Sequence, residues 1–292
     1  MSVVDLLIYR FVYTNEVIDV WMRNRMICTE TVEEDRIVSV EQQTSIESGS
    51  AEKSGKHGRC IIVGAGDFFG MPFQPAEEDY VIAADAGYEN LKDVGIVPNL
   101  VVGDFDSMEV EGVKGVTGPV KDLDIFADAE KAEYIHHLQR IELDGVETRV
   151  IDPIKNDPDM LACVRIGMER GFRSFHLIGG TGKRIDHSIA NLQVLGFLAQ
   201  QGMHGYLYGE HQLVRAIRNE SVHFPKEMQG YFSALSLSDE CRGVTERGFK
   251  YIVTDVTLSN TMPTGLSNEF VGTEAEISVK DGTLLLIYDW KC

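Results

Sequence analysis

Four short apolar runs set the terms for this chain. Cys60-Ile61-Ile62-Val63, Tyr80-Val81-Ile82-Ala83-Ala84, Leu100-Val101-Val102-Gly103 and Ser174-Phe175-His176-Leu177-Ile178 each give way to a glycine or an aspartate. Runs this short, apolar on successive residues, read as strands covered on both faces, the pattern of a parallel sheet. Helical patterns separate them, at about 88–94 before Gly95 and Pro98, at 160–170 and at 188–200. A further strand is expected over 147–151 and a helix over 127–139. In open sheets of βα units, ligands bind outside the carboxyl ends of the strands. The residues that close the runs are therefore the first candidates for chemistry.

Those residues are acidic. Leu100 to Ser107 reads L-V-V-G-D-F-D-S. Alternation along an extended chain points Asp104 and Asp106 to one side. Two carboxylates held that close are costly without a cation or donors to compensate them. Hard oxygen ligands suit Mg²⁺ bound together with phosphates. Asp85 ends the neighbouring run, so three carboxylates can converge on one crevice. The bland alternative is a set of Asp-rich turns closing strands. Within Lys155-Asn156-Asp157-Pro158-Asp159, Asp157 suits a helix N-cap and Pro158 the first helical position. Asp159, in the first turn, can face the crevice.

Gly179-Gly180-Thr181-Gly182-Lys183-Arg184-Ile185-Asp186-His187 joins a strand to a helix. A glycine-rich turn there exposes N–H groups to a phosphate, and Lys183 and Arg184 add positive charge. It lacks the spacing of a Walker A loop. Asp186 also suits a helix cap, and His187 reads as a packed core histidine. Gly64-Ala65-Gly66 resembles the start of a dinucleotide fingerprint, but Phe69 stands where the third glycine belongs, and Pro72 and Pro75 follow. NAD binding is excluded on that basis.

The flanks differ. The stretch 30–57 is polar, with Ser-Gly-Ser and Lys-Ser-Gly-Lys segments, the composition of a flexible tail. From Gly205 onward the pattern is β only: short strands are expected at 206–208, 213–217, 222–224, 230–237, 249–253, 256–258, 276–279 and 283–288. A net charge of −19 argues against a nucleic-acid surface, while a metal-bridged phosphate or a cationic substrate remains compatible with it. The odd set of Cys28, Cys60, Cys163, Cys241 and Cys292 lacks any C-x-x-C pair, so a reducing cytoplasm is expected. Neither a membrane span nor a signal peptide is expected.

Taken in order, these motifs resemble the thiamine pyrophosphokinase family. Its A-D-G-G segment is matched by Ala84-Asp85-Ala86-Gly87, and its P-D-x-x-x-G-D-F-D-S by Pro98 through Ser107. Its K-D-x-T-D is represented by Lys155 to Asp159, in preference to Lys121-Asp122-Leu123-Asp124, because the former opens a helix. Its G-x-T-G-G-R-x-D-H is represented by Gly179 to His187. Its G-x-K-Y and G-x-S-N-E look like Gly248-Phe249-Lys250-Tyr251 and Gly265-Leu266-Ser267-Asn268-Glu269. Asn156, Pro158 and Lys183 depart from the pattern, with Lys183 standing in place of a glycine.

The resemblance implies transfer of pyrophosphate from ATP to thiamine, with Mg²⁺, in a homodimer. It implies that Asp85, Asp104, Asp106 and Asp159 hold the metal. Thr181, Gly182, Lys183 and Arg184 would bind phosphate, Arg184 also serving catalysis. Asp186, Tyr251, Ser267 and Asn268 would contact thiamine, the last three from the partner subunit. The expected fold is α/β: an extension over 1–58, a Rossmann-like parallel-sheet domain over 59–213 that binds ATP and Mg²⁺, and an all-β sandwich over 214–292 that binds thiamine. Two other readings remain. Asp104-Phe105-Asp106 resembles the nucleophile motif of haloacid-dehalogenase phosphatases. Alternatively, Asn156 and Lys183 have turned the chain into a non-catalytic thiamine or nucleotide sensor.

Overall fold

The computed structural model describes residues 58–103, 139–143, 145–150 and 157–290. The first part comprises β1 (Cys60–Val63), β2 (Tyr80–Ala84), α1 (Gly87–Asp93), β3 (Leu100–Gly103), β4 (Gln139–Leu143), β5 (Val146–Val150), α2 (Asp159–Glu169), β6 (Ser174–Ile178), α3 (Ile185–Gln200) and β7 (His204–Tyr208). Strands alone follow: β8 (Gln212–Arg218), β9 (Ser221–Phe224), β10 (Tyr231–Ser236), β11 (Glu240–Arg247), β12 (Val253–Ser259), β13 (Asn268–Glu269), β14 (Ala275–Ser278) and β15 (Thr283–Asp289).

The apolar runs are strands because both of their faces are covered. On one face Cys60, Ile62, Ile82, Leu100, Val102, Phe175 and Leu177 pack with α2 and α3 side chains such as Cys163, Val164, Leu195 and Leu198. On the other, Ile61, Val63, Val81, Ala83, Val101 and Ile178 pack with Tyr88 and Leu91 of α1. A polar residue on either face would need its own partner, as His176 shows. It is the buried histidine of this core, between Ser174 Oγ (3.1 Å from Nε2) and Tyr208 Oη (2.8 Å from Nδ1). Burial lowers its pKa to about 3. His187, expected in the core, is exposed instead. It lies in the first turn of α3, which starts at Ile185 rather than at the expected 188.

One sheet orders its strands β13-β10-β15-β8-β7-β6-β1-β2-β3-β5-β4. From β7 to β5 every neighbouring pair is parallel. β4 pairs antiparallel with β5 across a turn at Gly145 (φ 82°). That strand was not expected. The helix anticipated over 127–139 lies outside the described residues except for Gln139, which begins β4 instead. The alternating Gln-Arg-Ile-Glu-Leu suits a strand paired on one side.

The β-only part does not stand apart from this sheet. β7 is parallel to β6, and β8, β15, β10 and β13 continue the same sheet with antiparallel pairing. β12-β11-β14-β9 form a second sheet. A core shared by the two sheets includes Val222, Phe224, Val244 and Ile277 from the second, and Phe232, Ala234, Leu284 and Leu286 from the first. Phe224 meets Phe232 edge to face at 5.6 Å. The strand expected at 249–253 is reduced to a single bridge, Phe249 to Phe270, and β12 begins at Val253. Cys60, Cys163 and Cys241 are buried. Among the described residues, no helix is long and apolar enough to cross a membrane.

Candidate functional site

β1 has β2 on one side and β6 on the other: the chain runs from β1 out to β2 and β3 and later returns on the far side of β1 as β6. Such a switch in strand order opens a crevice at the carboxyl ends. The turns after β1 and β6 prolong the pairing into that crevice. Gly64 N–H donates to Ile178 O, Gly66 N–H to Gly179 O and Asp67 N–H to Thr181 O, each at 2.8 Å. A Cβ on Gly66 would stand 2.3 Å from Thr181 O, and one on Gly87 1.9 Å from Val63 O. These glycines let backbone meet backbone, one between the two turns and one where α1 starts against the end of β1. The G-A-G of the β1 turn thus has a packing reason of its own.

A cavity of about 430 Å³ lies here, lined by Gly64, Ala65, Gly66, Asp85, Asp159, Thr181, Gly182, Lys183, Arg184, Asp186 and Asn191, among others. It gathers every candidate of the α/β part that falls within the described residues. Asp104 and Asp106 lie outside them. Asp85 N–H donates to Val102 O at 2.7 Å. A Cβ built on Gly103 would lie 3.4 Å from Asp85 Oδ1, so this carboxylate stands beside the end of β3, where the chain continues into Asp104. Among the described residues, no three acidic, histidine or cysteine side chains are grouped closely enough to hold a metal. The donors present, Asp85 and Asp159, are hard oxygens of the kind Mg²⁺ takes.

Among the described non-glycine residues, Asp85 (φ 50°), Lys183 (φ 45°), Asn219 (φ 52°), Asp255 (φ 57°) and Ser267 (φ 59°) are left-handed, and Asp85 and Lys183 line the cavity. Each such residue costs about 1–2 kcal/mol relative to a right-handed one and persists only where its surroundings hold it. Lys183 Nζ donates to Ala65 O at 2.9 Å, a strap from the β6 turn to the β1 turn. Arg184 precedes α3 in extended conformation (φ −112°, ψ 117°) and pairs with Asp186, Nε to Oδ1 at 3.1 Å. Hydrogen bonding from Arg184 holds the Asp186 carboxyl down to about 2. Both side chains are exposed. At the start of α2, Pro158 takes the N-cap position expected for Asp157, whose Oδ2 lies 2.7 Å from Arg165 Nε.

Two supporting residues escaped the sequence reading. Asn191 Nδ2 donates to Gly180 O at 2.6 Å, and Asn90 Nδ2 to Gly64 O at 3.0 Å. Each fixes a carbonyl of a glycine turn. The available signal was a polar residue, Asn191, on the buried face of α3.

Tyr251, Ser267 and Asn268 are together in the β-only part, and none of them lines the cavity. Tyr251 is 58% exposed. Asn268 is buried, and its amide is fully used. Its Nδ2 donates to Glu246 Oε2 (2.6 Å) and to Tyr251 O (2.7 Å), and its Oδ1 accepts from Tyr251 N–H and Glu269 N–H (both 2.9 Å). A larger recess of about 610 Å³, lined by Arg218, Arg242, Asp239, Glu240 and Asp281 among others, lies elsewhere on this part. Its charges are partly self-paired, as in Arg242 to Glu240 at 2.8 Å.

The chain matches two family models. Residues 75–207 match the catalytic domain of thiamin pyrophosphokinase, and residues 219–284 its vitamin B1 binding domain. The thiamine pyrophosphokinase of Bacillus subtilis (strain 168) is 24% identical over 209 residues, 70% of this chain and 85% of the relative. The crystal structure of thiamine pyrophosphokinase from Bacillus subtilis is similar in fold, with a TM-score of 0.63 at 20% identity, over 80% of this chain and 100% of that one. Thiamin pyrophosphokinase from Candida albicans has a TM-score of 0.53 at 14% identity, over 80% and 89% of the two chains. Nothing in these comparisons supports the phosphatase or the sensor. The two matched models follow one another along the chain in the order in which its motifs occur, and the chain belongs to the thiamin pyrophosphokinase family.

Proposed function

We infer that the chain transfers pyrophosphate from ATP to thiamine, giving thiamine diphosphate and AMP. One observation carries the reading: Asp85, Asp159, Thr181, Lys183, Arg184 and Asp186, all marked by sequence, line a single cavity at the switch in strand order. In the reaction the thiamine hydroxyl oxygen forms a bond to the β-phosphorus of ATP. The bond from that phosphorus to the α,β-bridging oxygen breaks, AMP leaves and the hydroxyl proton is lost. Such transfers need positioning and neutralisation of charge above all.

Roles follow from chemistry and place. Asp85 and Asp159, with Asp104 and Asp106, would hold Mg²⁺, which when bound neutralises the phosphates. The Thr181-Gly182 turn would receive phosphate oxygens, flanked by Lys183 and Arg184. Arg184 is paired with Asp186 in this structure, so a phosphate would compete for it, leaving Asp186 to orient the thiamine hydroxyl. Tyr251 offers an exposed ring for the cationic, aromatic vitamin, and Ser267 lies nearby in the sequence motif. Asn268 holds Tyr251 in place. Since these three do not reach the cavity of their own chain, a homodimer that brings them to the partner's cavity completes the site. Division into a Rossmann-like ATP and Mg²⁺ domain over 59–213 and a sandwich over 214–292, with 1–58 as an extension, fits this arrangement. So does a cytoplasmic location, where ATP is available.

Purified protein supplied with ATP, Mg²⁺ and thiamine should release AMP and form thiamine diphosphate in equal amounts. Thiamine binding without AMP would leave a sensor and end the enzyme reading. Lys183→Gly tests the strap. Relief of the left-handed lysine, worth about 1–2 kcal/mol, should offset the lost hydrogen bond of about 0.5–1.5 kcal/mol, so the melting temperature should barely move. Loss of a cation beside the phosphates should raise the KM for ATP about fivefold, a cost of about 1 kcal/mol. An unchanged KM would remove Lys183 from the phosphate site.

A further inference from the structure

Glu246 is a buried carboxylate that no step above uses. It lies on β11, 5% exposed. Burial pushes its carboxyl up from the usual range, and the hydrogen bond from Asn268 offsets part of that rise. Burying such a group is costly, and an apolar residue of similar volume often serves stability as well or better. Its contact is therefore informative. Glu246 Oε2 accepts from Asn268 Nδ2 at 2.6 Å.

That amide has a second duty. Beyond the Phe249–Phe270 bridge, the segment 249–251 runs beside 268–270, and Lys250 N–H donates to Glu269 O at 3.0 Å. One position further the Asn268 side chain takes the place of a main-chain partner, accepting from Tyr251 N–H at 2.9 Å and donating to Tyr251 O at 2.7 Å. The orientation of the amide is determined by its neighbours. Two N–H donors face Oδ1, and two oxygen acceptors face Nδ2, so all four of its hydrogen bonds are made. Removing the acceptor at Glu246 would leave one amide hydrogen unpaired in a buried place and loosen its hold on Tyr251.

We propose that Glu246 is a positioning residue for the vitamin: its carboxylate anchors the Asn268 amide, and that amide fixes the backbone from which the Tyr251 ring projects. The inference rests on the reading of Tyr251 as a thiamine contact. It adds a residue that neither touches the vitamin nor belongs to the sequence motifs. Two bonds on one amide nitrogen link Glu246 to the Tyr251 carbonyl, so the effect should fall on thiamine and spare ATP, whose proposed cavity lies in the α/β part.

The test compares Glu246→Leu, Glu246→Gln and Tyr251→Ala by AMP release, with KM measured separately for thiamine and ATP and with a thermal melt of each. Glu246→Leu should raise the thiamine KM about tenfold, the size of one lost buried hydrogen bond. Its ATP KM should stay within about twofold, and Tyr251→Ala should raise the thiamine KM at least as much. Glu246→Gln keeps a carbonyl acceptor and should recover most of the loss. An unchanged thiamine KM in Glu246→Leu, with Tyr251→Ala impaired, overturns the proposal alone. Equal impairment of Gln and Leu does so too, since an acceptor then does not suffice. A variant that melts early and loses both substrates together makes Glu246 a residue of stability and also overturns it. An unchanged thiamine KM in Tyr251→Ala ends the vitamin reading itself, and the proposal with it.

Discussion

Asp85→Asn should lower kcat by about 10²–10³-fold in a protein that still folds. The substitution removes a charge and little else. Asparagine tolerates the left-handed backbone that Asp85 adopts at φ 50°, so the turn between β2 and α1 is kept. The Asp85 N–H bond to Val102 O is a main-chain bond and survives. What is lost is a hard anionic oxygen at the carboxyl end of β2, beside the end of β3. If that oxygen holds Mg²⁺ against the phosphates, the loss appears in the chemical step, where fixed charge stabilisation counts for several kcal/mol. The variant should also need more Mg²⁺ for half-maximal rate. AMP release across a Mg²⁺ titration, beside a thermal melt, measures both. A kcat within a few-fold of the parent would take Asp85 out of the site.

Arg184→Ala should cost about 10³-fold in kcat and raise the KM for ATP, with no change in melting temperature. A guanidinium placed on transferring phosphoryl oxygens contributes on that scale. The structural loss is small, because the Arg184–Asp186 pair is exposed on both sides. Arg184→Lys should recover only part of the rate, since a point charge does not reproduce the planar fork. Full activity in Arg184→Ala would assign the phosphate-binding role to Lys183 or to the turn backbone.

Much of this arrangement was legible in the sequence, for a physical reason. A strand covered on both faces is apolar at nearly every residue, so β1, β2, β3 and, apart from its partnered His176, β6 declare themselves without knowledge of their neighbours. Their ends are declared as well, by a glycine or an aspartate. What escaped depends on distant partners. Nothing local says that β8 and β15 continue the first sheet. His176 and His187 differ in burial because one lies in a central strand and the other in the first turn of a helix. The role of Asn268 was half legible. The motif marked it, but only the four bonds of its amide show that it acts on Tyr251. Asp104 and Asp106, the most conspicuous carboxylates of the sequence, lie outside the described residues.

The eleven-stranded sheet has a consequence for motion. Strands β7 and β8 are joined by main-chain hydrogen bonds, so the α/β part and the β-only part share one continuous sheet. Enzymes whose halves are tethered by a linker can swing shut over their substrates. Here a continuous sheet stands where such a linker would be. We expect adjustment to ATP in the turns at the carboxyl ends of β1 and β6, which the Lys183–Ala65 bond ties together.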